Sequence, residues 1–204
     1  MSTRTYAFAV VLATYLTGLF LGSALLARRV DRLRDPWGVF GLLIAGAGLI
    51  ALLEIALLGR WLVLAQSAAE AWVLSWGASE LLGMSVRFAV AALSIVFVPT
   101  VLLGAAFPVA LRLSVGREHV GRNVGEVVAF NTLGGIVGVM LCGFVLIPLL
   151  GLVRTLGLLA IIAAAIGYFA VRKGHGVKKG RRQGVIAVGL VSLALALLTP
   201  VDKL

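Results

Sequence analysis

The chain has 204 residues, of which 61% are hydrophobic and 13% charged, with a mean hydropathy of +1.11 and a net charge of +10. That is too apolar for a soluble domain of this length, and its Leu, Ala, Val and Gly content belongs to helices rather than to alternating barrel strands. The basic residues sit in short loops between apolar runs, which argues against nucleic acid and for topology setting and contact with membrane lipid.

The expected fold is all-α: one integral membrane domain, a transmembrane helical bundle of about six spans plus one interfacial amphipathic helix. The first apolar run covers residues 6–27. Only Arg4 precedes it and an arginine cluster follows it, so it reads as a retained helix and not as a signal peptide. Thr14, Gly18 and Gly22 fall at four-residue steps, forming a narrow ridge for close helix contact. Next comes ARRVDRLRDPWG, in which Arg28, Arg29, Arg32 and Arg34 stand against Asp31 and Asp35 before Pro36 restarts the chain.

The second predicted span, 39–58, carries Gly41, Gly46, Gly48 and Glu54. A carboxylate inside a span is a functional candidate by default. Glu54 also lies close to Gly59 and Arg60, where it can snorkel to the interface, so a boundary acid and a cavity-lining proton or cation site both remain open. Residues 61–83 hold Gln66, Glu70 and Glu80 among apolar residues, a pattern that predicts a separate helix lying in the interface. Its Trp61, Trp72 and Trp76 suit an aromatic belt, with a ligand-binding aromatic box as the alternative.

The third span, 86–113, includes Pro99 and Pro108, each expected to kink it, and Thr100, Gly104 and Pro108 again stand four apart. The loop that follows supplies Arg112, Arg117 and Arg122, and His119 has no partner there that would make it a metal ligand. Asn123 followed by Glu126 forms a capping-box pattern for the fourth span, 124–147. Within that span Asn131, Gly134, Gly135 and Gly138 occupy positions i, i+3, i+4 and i+7, one face of a helix. Lipid gives no reason to strip a face so bare; another helix does, because small residues let backbones approach and an Asn can hydrogen-bond across. The lone Cys142 reads as a small packing residue.

Pro148 and Gly151 predict a short turn before the fifth span, 153–171. Arg172, Lys173, Lys178, Lys179, Arg181 and Arg182 then form the most basic segment, and a short sixth span is predicted over 184–198. The positive-inside rule puts the loops after the first, third and fifth spans in the cytoplasm and both termini outside, or the C-terminus back in the cytoplasm if the sixth span does not cross, in the inner (plasma) membrane of a bacterium or archaeon. No phosphate loop, paired Cys or His spacing or nucleophile motif is present, so no catalytic, cofactor or metal residues are assigned. Gly18, Gly22, Gly104, Asn131, Gly134, Gly135 and Gly138 are expected at helix contacts, and Glu54, Glu126 and Asn131 are the groups for a polar cavity. Another protein chain or a second copy is the expected partner beside lipid.

The segments TYAFAVVLATYLTGLFLGSALLARR, PTVLLGAAFPVALRL and VVAFNTLGGIVGVMLCGFVLIPLLGL, taken in order, resemble the membrane region of spermidine-synthase-like membrane proteins, over nearly all of residues 3–168. The resemblance implies a helix with a Glu-Trp-Arg-type segment upstream and a Rossmann-like aminopropyltransferase domain downstream, neither of which lies within these residues. It therefore implies half of a split pair, a truncated relative or fragment of a membrane-bound spermidine synthase, or a subunit that keeps the membrane part. LGSALLARRVDRLRDPWG also bears a fainter similarity to the signature after the second helix of a major-facilitator transporter half. Two roles follow as expectations: a non-catalytic membrane domain or subunit that anchors or scaffolds a partner, and a transporter-like half-bundle for a small cation such as a polyamine, acting as a dimer or with a partner chain.

Overall fold

A computed structural model describes residues 3–114, 120–174 and 177–198. The described chain is helical: α1 (Thr3–Ala27), α2 (Pro36–Ser75), α3 (Glu80–Ala92), α4 (Val98–Ser114), α5 (Val120–Leu141), α6 (Ile147–Lys173) and α7 (Lys179–Leu198). Five stretches are long and apolar enough to cross a membrane: Thr5–Ala27, Pro36–Leu57, Glu80–Ser114, Gly121–Lys173 and Lys179–Leu197. The fourth, of 53 residues, is broken at Gly151, whose φ of 76° and ψ of 168° only glycine adopts readily, so it comprises two helices of membrane length.

Two expectations about helix boundaries are corrected. No separate interfacial helix covers 61–83. Instead α2 runs for 40 residues to Ser75, about 60 Å at 1.5 Å per residue and about twice the thickness of a hydrocarbon core. Nothing between Pro36 and Ser75 stops it: the stretch has no internal proline, and one glycine such as Gly59 costs a helix only about 1 kcal/mol. The chain turns after Trp76, and the Ser79 side chain then caps α3 by accepting from the Leu82 N–H. The last helix starts at Lys179 rather than 184, taking Arg181 and Arg182 into its first turns, and its 20 residues reach further than the short span expected.

Between α3 and α4, and again between α5 and α6, the chain widens into a π-turn, Leu93–Phe97 and Cys142–Leu146. Each ends two residues before a proline, Pro99 or Pro148. A proline ring collides with the carbonyl four residues back, here Ile95 and Phe144, and both lie in the middle of a widened turn that gives the ring room. The Thr100 hydroxyl donates at 2.9 Å to the Val96 and Phe97 carbonyls, supplying a donor where the ladder is loosened. Pro108 is accommodated inside α4 with no such turn.

Small residues set the two closest crossings. A Cβ placed on Gly18 would strike Thr100, one on Gly22 the Val101 carbonyl, and one on Gly104 the Leu19 carbonyl, so α1 and α4 touch backbone to backbone. The α2–α6 crossing is also close, though less so: a Cβ on Gly41 would lie 2.7 Å from the Gly167 carbonyl oxygen, and one on Gly167 would lie 2.6 Å from that of Gly41. At both crossings the missing side chains let backbone atoms of the two helices meet in dispersion contact. Helix α7 packs on α2 and α6, closing a small core of Ala45, Val171 and Val185.

Helix α5 stands apart from this packing. Among its described residues none is buried, and Phe130, Leu133, Val137 and Met140 are all exposed.

Candidate functional site

Three polar constellations stand out, and the first closes one end of the bundle. Asp35, 5% exposed, caps α2: its carboxylate accepts from the Gly38 N–H at 2.8 Å, with Pro36 at the first helical position where no donor is needed. The same carboxylate meets the start of α7, 3.4 Å from the Lys178 N–H and 3.2 Å from the Arg181 guanidinium. Arg181 also donates to the Asp35 carbonyl at 3.1 Å. Alongside, Arg112 at the end of α4 donates to the Val30 carbonyl, and the Lys173 ammonium lies 5.4 Å from the centre of the Trp37 ring. The ends of α1, α4 and α6 and the starts of α2 and α7 therefore share one basic pole, a junction that sequence reasoning missed. The Asp-Pro pair was the available signal for the cap; nothing local announces its union with Arg181, far along the chain.

The second constellation surrounds Glu54. With Ser94 it lines a cavity of about 410 Å³ whose other walls include Leu53, Leu57, Leu93 and Val98. The Oε2 atom of Glu54 is buried and has no hydrogen-bond partner among the described residues. Glu54 lies about five turns along α2 from Pro36, and Ser94 about five turns back from Arg112, so both sit at one depth, far from the basic pole. Because α2 continues past Leu58 to Ser75, Glu54 is not at a helix end, as its nearness to Gly59 and Arg60 implied. A carboxylate with a free acceptor beside a hydroxyl can hold a proton or one cationic head group.

The third is a wedge between α5 and the body of the bundle. Its cavity, about 630 Å³, has Tyr15 and Ser23 of α1, Phe40 of α2, Phe107 of α4 and Asn131 of α5 on its walls. Asn131 thus borders the gap between α5 and the body of the bundle. A Cβ placed on Gly134, Gly135 or Gly138 would have no described atom of another part of the chain within 4 Å.

Of the three candidate polar groups, Glu54 and Asn131 line different cavities, and Glu126 lines neither. Helix α5 begins at Val120, ahead of Asn123, so the Asn123–Glu126 pattern caps nothing. Glu126 instead accepts from the Arg122 guanidinium at 2.9 Å one turn away, on an exposed face. Trp61, Trp72 and Trp76 are all exposed, and only Trp72 and Trp76 approach each other, with ring centres 4.6 Å apart, so the three enclose no aromatic box. Glu70 pairs with Arg87 at 3.6 Å, tying the far half of α2 to α3. His119 lies outside the described residues, and among those described no three His, Cys, Asp or Glu side chains converge in a metal-holding group. No protein-family model, curated protein or solved structure matches the chain.

Proposed function

We propose that this chain is a non-catalytic integral membrane subunit, related to the membrane part of spermidine-synthase-like proteins, that anchors a partner protein in the bilayer. The observation that carries this reading is α5: a 22-residue apolar helix with no buried residue among those described, whose Gly134, Gly135 and Gly138 edge meets no described residue of its own chain. A bare glycine edge forgoes dispersion contacts with lipid tails and recovers them against a second helix, where Asn131 adds a hydrogen bond. The basic pole, with Arg112, Lys173 and Arg181, faces the cytoplasm by the positive-inside rule.

Gentle detergent extraction from the native membrane tests this. The wild-type chain brings down a stable partner, and Gly135→Leu, which has room in the isolated chain, loses it while keeping its own fold. Recovery of the wild-type chain as a solitary monomer contradicts the proposal.

A further inference from the structure

The cavity between α2 and the Leu93–Phe97 π-turn is not used by a scaffolding role, and its chemistry is specific. Glu54 offers a carboxylate oxygen that is buried and lacks a donor among the described residues. Ser94, inside the widened turn, places a hydroxyl on the same cavity, and the remaining walls are aliphatic, with Leu53, Leu57, Leu93 and Val98 among them.

Charge and shape narrow the occupant. A buried carboxylate oxygen is expensive to keep without a cationic partner or a proton. Hard divalent metals take six or more oxygen ligands, whereas one carboxylate and one hydroxyl line this space. A polyamine carries several ammonium groups along its length, and beyond the first they would lie against leucines with no acid to meet them. A single ammonium on a short apolar tail satisfies both halves of the site: the head donates to Glu54 and Ser94, and the tail lies on the leucines. The geometry points to a binding site for small lipophilic monoammonium compounds at Glu54 and Ser94. This goes beyond the scaffolding role and does not depend on it.

Equilibrium dialysis of the purified full chain in maltoside micelles, with labelled n-hexylammonium as probe, tests the inference. Saturable binding at one site is expected, weakened at least tenfold by Glu54→Gln. Ser94→Ala, which removes the hydroxyl and keeps the carboxylate, is expected to weaken it severalfold, and it carries the test if Glu54→Gln does not fold. Neutral 1-hexanol competes at least tenfold less well than unlabelled hexylammonium, and spermidine no better than hexylammonium. Absence of saturable binding, affinity unchanged in a folded variant, equal competition by hexanol, or tighter competition by spermidine overturns the assignment.

Discussion

Replacing Gly167 by Ala strikes the crossing of α2 and α6 at its closest point. The new methyl would lie 2.6 Å from the Gly41 carbonyl oxygen and 3.0 Å from the Ala45 Cβ. Carbon-to-oxygen contacts between helices settle at about 3.3–3.6 Å, so the two helices must part by about 0.7 Å locally. A gap of that size forfeits roughly a quarter to a half of each dispersion contact it opens. Overpacking of this kind costs about 1–3 kcal/mol, which at about 2–4 °C per kcal/mol for a chain of this size lowers Tm by about 2–12 °C. The control is Gly46→Ala on α2, where the nearest atom to the new methyl is Leu102 Cδ1 at 3.8 Å, an ordinary contact. There Tm holds or rises slightly, because alanine favours the helix. Thermal loss of the monodisperse peak in maltoside reads both variants. If Gly167→Ala melts with the wild type, or Gly46→Ala melts as early as Gly167→Ala, the argument from close glycine contact is refuted.

Two further variants probe the other supports. Asp35→Ala removes the α2 cap and leaves Arg181 without its partner at the junction; since that guanidinium is partly exposed, the loss falls below the about 3–5 kcal/mol of a fully buried pair, at about 2–3 kcal/mol, read in the same melting assay, and an unchanged Tm counts against the shared pole. Gly151→Ala forces a side chain into a backbone conformation with φ 76°, costing about 1–3 kcal/mol; a Tm equal to wild type shows that no such break interrupts α6 at residue 151.

Periodicity makes the apolar faces legible, because which residues share a face is a property of one helix. It cannot say which face meets which. Gly41 is one glycine of several in its span, and its contact with Gly167 depends on how α2 and α6 cross, which no local pattern encodes. Gly59, next to a charge, has the look of a helix end, yet a single glycine is a weak stop once Leu and Ala continue on either side. The Asn123–Glu126 spacing is a valid cap signature overridden by a helix that starts earlier and pairs Glu126 with Arg122 instead. Glu54 and Asn131 are both recognisable as polar groups in apolar spans. Their separation into two cavities follows from helix neighbours and is invisible in one dimension.

Oxygen accessibility of nitroxide labels in native membranes tests most directly whether protein covers the bare edge of α5. Residue 135 lies on that edge and residue 140 on the opposite face of the same helix. Labels introduced at Gly135→Cys and Met140→Cys, each in a Cys142→Ser background, are predicted to differ: membrane-dissolved oxygen relaxes the label at 140 strongly and barely reaches the one at 135. Equal relaxation at both positions means that the edge faces lipid, and contradicts the account.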